Sequence, residues 1–322
     1  MLRIEAKDEG IVLRHGDGPD GCDVYGARDV WVYEEGGTYY MHYDAAGPTG
    51  WLCSLATSVD LLHWQKRGPV LQVGGSGEED AGSASYGVTF KEGDHWHMFY
   101  MGTPNATSPP DRVPQFPYLT MKAKSSSPGG PWIKQKDVVP FRPRPQSYYS
   151  VTASPGHVVW HDGEYLQFFS ASTDSPIIRT LGIARTKDLD GTWSVDPEPI
   201  LPPEEQIENS SLYYEGASET WFLFTNHVRS GAGLDDYTDA VWLYWSKDLN
   251  VWDLNRKAVV LDGSNCRWSK KCIGLPSVVR VGKRLALFYD GPGGESTSHM
   301  GRDISLAWLG LPLIPRRWLV AH

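Results

Sequence analysis

The sequence predicts an all-β fold, a five-bladed β-propeller of four-stranded antiparallel blades around a central channel, in a single domain spanning residues 1–322. Three observations predict it. The composition, with 14 Trp, 16 Tyr, 34 Gly and 23 Pro, favours strands joined by turns over helices. A run of aromatic and aliphatic residues recurs five times, as "GTYYMHYDA" from 37, "DHWHMFYMG" from 94, "GEYLQFFSA" from 163, "ETWFLFTNH" from 219 and "KRLALFYDG" from 283. Successive copies start 57, 69, 56 and 64 residues apart, which suits a radial array of small sheets better than a sandwich, whose turns come roughly every 8–12 residues. The third observation is a turn that returns in step, as "SVDLLHW" (58–64), "SSSPGGPW" (125–132), "TKDLDGTW" (186–193) and "SKDLNVW" (246–252).

Each aromatic run, approached from a Gly or charged turn, reads as a strand buried on both faces. A further short strand follows each one: "SLATS" from 54, "MKAKS" from 121, "LGIART" from 181, "WLYWS" from 242 and "ISLAW" from 304. The first four of these run straight into the Trp turn. There the hydroxyl and the Asp are placed to bond local backbone and the Trp to cover the blade's edge, so the turn is structural punctuation. The fifth blade lacks it. "GIVLRHG" near the N-terminus is expected to supply that blade's missing strand, closing the ring with both chain ends and protecting its edges.

Thirty basic against 39 acidic side chains give a formal charge of −9, which repels a phosphate backbone and argues against a nucleic-acid partner. No stretch approaches the length of a membrane-spanning apolar run, and "MLRIEAKDEG" is charged where a signal peptide is apolar, so a soluble chain is expected. Cys22, Cys53, Cys266 and Cys272 lack zinc-site spacing and read as buried free thiols, with a bridge within "CRWSKKC" as the alternative. No calcium-loop pattern is present.

The starts of the innermost strands converge from every blade on one small volume, and an acid there is costly unless it is paired or used. Blade one carries Asp29 in "YGARDVWVYEEGGTYYMHY"; blade four carries Glu208 in "IENSSLYYEGASETWFLF". With these motifs, the five strand repeats and the Trp turns, nearly the whole chain resembles the five-bladed propeller glycosidases, a superfamily that includes glycoside hydrolase families 43, 62, 32, 68, 117 and 130. It is most similar to family 43. The resemblance implies that Asp29 is the general base and Glu208 the general acid of an inverting, exo-acting hydrolase of plant or algal glycans. Nothing matches the "N-D-P-N-G" nucleophile motif of family 32. Glycoside cleavage needs one ionised carboxylate and one carboxylic acid whose pKa is raised by burial or a nearby negative charge.

Family 43 carries a further Asp before the third-blade strand. Here "TASPGHVVWHDGEYLQFF" puts Ser154 in its place, and Asp80, Asp23 and His157 are the candidates to substitute. The expected substrate-binding residues are Arg28, Trp51, Tyr86, His157, His227, His299 and Arg302. The long insertion "GTPNATSPPDRVPQFPYLTM" (102–121) adds Arg112, Phe116 and Tyr118, which suit stacking against a sugar. No cofactor is required and no metal ligand is assigned; a structural cation in the central channel is an expectation of the resemblance alone. Two alternatives stand beside hydrolysis. One is a family 130-like phosphorylase, using Arg28, Arg302 and His299 to hold phosphate; the other is a propeller that binds carbohydrate without cutting it.

Overall fold

The computed structural model describes residues 2–230 and 236–314, and these are all-β apart from two short 3-10 turns at Pro19–Gly21 and Pro203–Glu205. No helix among them is long and apolar enough to cross a membrane. The strands fall into successive antiparallel units. The first comprises Gly26–Glu35, Thr38–Gly47, Gly50–Ser58 and Gln65–Pro69; the second Ser83–Glu92, His95–Thr103, Leu119–Ser125 and Ile133–Lys134. In the third the inner strand is broken into Thr152–Ser154 and Val158–His161, both paired with Glu164–Ser172, which continues to Arg179–Thr186 and Ser194–Val195. The fourth comprises Ile207–Glu215, Thr220–Ser230, Asp236–Ser246 and Lys257–Asp262, with Leu2–Arg3 added in parallel at its edge. The last comprises Ser277–Val281, Arg284–Gly291 and Asp303–Gly310.

The N-terminal strand Lys7–Leu13, which holds the "GIVL" of the sequence expectation, pairs antiparallel with Asp303–Gly310 and completes this last unit. The edge of Asp303–Gly310 is therefore covered.

The aromatic runs form the second strand of each unit, and the Trp turns join the third strand to the fourth. In the first turn the Ser58 hydroxyl accepts the N–H groups of Asp60 and Leu61, while Asp60 accepts those of Leu62 and His63. Trp64 Nε1 donates to Leu61 O at 2.8 Å. The fourth repeats the pattern with Ser246, Asp248 and Trp252. Each Trp then lies edge-on against a ring in the second strand of the unit before it: Trp132 on His42, Trp193 on Phe99, Trp252 on Phe168, and Trp64 of the first unit on Phe288 of the last.

The apolar clusters follow the same order. One lies between the first and second units (Cys53, Met98, Trp132), one between second and third (Phe99, Phe169, Trp193), and one between third and fourth (Phe168, Leu223, Trp252). Phe224, Leu287 and Leu309 join the fourth to the last, and Met41, Tyr43, Phe288 and Leu306 join the last to the first. Where the last unit has no Trp turn, Leu313 and Ile314 enter the cluster around Phe222 and Phe224, and the Leu313 N–H donates to buried Glu215 at 3.1 Å. All four cysteines are free and buried, so Cys266 and Cys272 are not bridged.

Candidate functional site

The inner strands leave regular geometry at matching positions along the repeat. A bulge follows Arg28, with Asp29 at φ 49°; a second lies at Tyr86, φ 36°; a third follows Glu208, with Asn209 at φ 67°. Positive φ is unfavourable for residues with a side chain, and bulges that keep it commonly re-aim side chains at functional sites. In the third unit the break falls at Pro155 and Gly156, where a Cβ would lie 1.7 Å from Phe168 O, so only glycine fits.

Around these departures lies a cavity of about 480 Å³. Its wall includes Arg28, Asp29, Trp51, Tyr86, Glu208, His299 and Arg302 from the sequence expectation, together with Ser154. The insertion reaches it through Val113–Phe116 and Tyr118, whereas Arg112 is not part of the wall. Trp31 and Val88, farther along their inner strands, join Tyr86, Met101 and Leu275 in one buried apolar cluster.

Arg28 grips Asp29 through Nε to Oδ2 (2.9 Å) and Nη2 to Oδ1 (3.3 Å). Its Nη1 donates to His299 Nδ1 at 2.9 Å, and its guanidinium lies 5.2 Å from the Trp51 ring centre. Burial, reinforced by the charges of Arg28 and Arg302, lowers the His299 pKa to about 3, so the ring is a neutral acceptor. The Asp29 N–H donates to Asp290 Oδ2 at 3.1 Å, and the other oxygen of Asp290 takes Arg302 Nη1 at 2.8 Å.

Glu208 keeps 26% side-chain exposure on the cavity wall, with Arg179 Nη1 at 3.8 Å. Burial raises its pKa; Arg179 and Arg28 oppose the shift, while the charges of Asp29 and Asp236 add to it. Arg179 also reaches Asp236 at 3.5 Å and lies over the Phe116 ring at 5.5 Å. Removing Phe116 takes away that platform without touching a carboxyl, so Phe116→Ala should weaken sugar binding in the cavity several-fold, about tenfold at most. Isothermal titration with a panel of oligosaccharides would show it.

Two sequence expectations are corrected. His157 and His227 do not line the cavity. His157 Nδ1 accepts the Leu212 N–H at 2.9 Å while its ring meets Trp31 edge-on, and burial lowers its pKa to about 3. His227 stacks on Trp242 at 4.2 Å and hydrogen-bonds the Tyr244 hydroxyl at 2.9 Å. Both rings are used in packing between or within units. The candidates to replace the third-unit Asp are elsewhere too: Asp23 is buried against Lys66, and Asp80 against Lys134 and Tyr100.

Three charged residues on the wall, Asp44, Arg179 and Asp236, were not among those expected from the sequence. A signal for the first was present. "HYDA" and "FYDG" place an acid at the same point of two aromatic runs, and these are Asp44 and Asp290. A central cation finds a poor donor set, since no group of three or more His, Cys, Asp or Glu side chains able to hold one occurs among the described residues. Asp29 and Asp290 are each matched by an arginine, and His299 Nδ1 is taken by Arg28.

No family model matches the sequence, and no match to it is found among curated proteins. Solved structures do match. A protein solved as an RGII complex superposes with a TM-score of 0.71 at 15% identity, covering 94% of this chain and 92% of its own length. The catalytic domain of a family 62 α-L-arabinofuranosidase from Coprinopsis cinerea gives 0.66 at 11% identity, covering 96% and 98%. A family 117 glycoside hydrolase from Zobellia galactanivorans gives 0.64 at 14% identity, covering 96% and 91%. Over nearly its full length, the chain shares the fold of the propeller glycoside hydrolases.

Proposed function

We propose that this chain is a glycoside hydrolase built as one five-bladed propeller domain, with Asp29 as general base and Glu208 as general acid. The order of the inter-unit clusters, with the first unit packed on the last, supports the five-bladed ring. The observation that carries the function is that two carboxyls 179 residues apart in sequence share one cavity, and that the charge of one favours the proton of the other. Asp29 takes a proton from water as it attacks the anomeric carbon, and Glu208 gives its proton to the leaving oxygen. Arg28 orients Asp29 and His299 orients Arg28.

Charge balance favours a neutral glycan. The arginines of the wall already face acids: Arg28 faces Asp29, Arg302 faces Asp290, and Arg179 stands between Glu208 and Asp236. None is left over for phosphate or a uronate, which favours hydrolysis over phosphorolysis. Trp51, Phe116 and Tyr118 offer ring faces for sugars, and the apolar cluster of Trp31, Val88 and Leu275 supports a closed floor and release of terminal residues. Arabinofuranosides are the first substrates to test, because a family 62 arabinofuranosidase shares the fold.

Turnover on an aryl glycoside panel should be unchanged by added phosphate, and proton NMR of the first product should show the inverted anomer. On the alkaline side kcat/KM should fall through a pKa above the usual glutamate value of about 4.3, since Glu208 works protonated. Strict dependence on phosphate would replace hydrolysis with phosphorolysis. Glycan binding without any cleavage would leave a carbohydrate-binding propeller.

A further inference from the structure

Of the four acids on the cavity wall, Asp44 is the most deeply buried, at 1% exposure, and the chemistry above gives it no task. It ends the aromatic run of the first unit as the register partner of Arg28, immediately before the bulge that sets Asp29 apart from the ladder. One of its oxygens accepts the Tyr86 N–H, reaching across to the second unit. No charged donor bonds it among the described residues, because Arg28 directs its guanidinium to Asp29 and His299. Asp290, at the matching place in the last unit, instead has Arg302 at 2.8 Å.

Two carboxyls beside one arginine already paired with the first of them are costly to ionise together. Arg28 and Asp29 face Asp44 from the neighbouring strand, Cys53 from the strand beyond and Tyr86 from the second unit. His299, Asp290 and Glu208 lie around Asp29. Burial, then the charge of Asp29, pushes the Asp44 carboxyl well above the usual range against the opposing pull of the Tyr86 N–H and Arg28.

We propose that Asp44 is a positioning residue, a protonated carboxyl standing beside Asp29. One proton is then held at Asp44, beside the carboxylate that Arg28 grips. The carboxyl O–H of Asp44 fixes the lone pairs of Asp29, leaving one oriented for water. The inference rests on the assignment of Asp29 as base, but its physical core, a proton held at Asp44, is measurable without any substrate.

Infrared difference spectra at neutral pH test it directly, in a Glu208→Gln background so that the other acid whose pKa is raised is silent. A protonated-carboxyl stretch should be present and should vanish on adding Asp44→Asn. A missing band, or one that survives the second substitution, overturns the proposal. Carbon-13 titration of labelled aspartates in the unmodified chain gives the same answer if the variants fold poorly.

Stability provides a second sign. A carboxyl whose folded pKa is raised favours the folded state at low pH, and that contribution is lost as pH rises towards the folded value. Between about pH 5 and 9 the urea midpoint should therefore fall more steeply in the wild type than in Asp44→Asn, and equal slopes count against the proposal. In kinetics Asp44→Leu, which has no donor, should lose at least about tenfold more kcat than Asp44→Asn, which keeps one; equal losses would mean a merely structural role. If the infrared band is present but no glycoside is cleaved, the proposed function fails and the proton at Asp44 stands; hydrolysis without the band gives the reverse.

Discussion

Asp29→Asn and Glu208→Gln should each lower kcat on a natural glycoside by roughly 10²–10⁴-fold while leaving the unfolding midpoint close to that of the wild type. The two losses should differ in kind. With Glu208 as the proposed acid, Glu208→Gln should recover much of its rate on an aryl glycoside whose phenolate departs without help. With Asp29 as the proposed base, no leaving group compensates for its loss; azide, which needs no base, should restore turnover to Asp29→Asn and give a glycosyl azide of inverted configuration. Leaving-group dependence measured across a graded aryl series separates the roles. If Glu208→Gln loses as much on the activated substrate as on the natural one, the acid lies elsewhere on the wall, and Asp236 is then the next carboxyl to test.

Much of the architecture is legible in the sequence because the repeat is written in hydrophobic runs that have to be buried. The aromatic strands, the Trp turns and the N-terminal strand that pairs with Asp303–Gly310 all follow from that periodicity. Asp29 and Glu208 were legible for a related reason: an acid at the start of an inner strand stands out against an apolar run. Asp44 carried only the signal it shares with Asp290 and Asp236 none, since they lie towards the end of a second strand and at the start of a third, where pattern does not show which acids face inward. The histidines failed through alternation and local breakage. Asn226 pairs with Glu208 in register, so its neighbour His227 belongs to the opposite face of the strand and stacks on Trp242. His157 follows the interruption at Gly156, which leaves its ring accepting a backbone N–H of the fourth unit. Arg179 is announced by nothing in its "IIRTLGIART" context, and only the fold brings it between Glu208 and Asp236.

The largest stability effect is expected from the Trp turns. Trp252 is buried, donates Nε1–H to Leu249 O at 2.9 Å and meets Phe168 of the preceding unit edge-on. Trp252→Ala removes the ring from the third-to-fourth cluster and leaves a void, so it should cost about 3–5 kcal/mol in urea unfolding. Its neighbour Val251 is 63% exposed, and Val251→Ala should stay within about 0.5 kcal/mol. The shape of the transition carries more than its midpoint. The five clusters between successive units are each shared by two of them, the first unit packing on the last, so no unit can lose its core without exposing that of a neighbour. Trp252→Ala should therefore shift one cooperative transition, and so should Trp64→Ala, whose partner Phe288 lies at the other end of the chain. A separate early transition in either variant would show units that unfold one at a time, which a closed ring of shared cores does not allow.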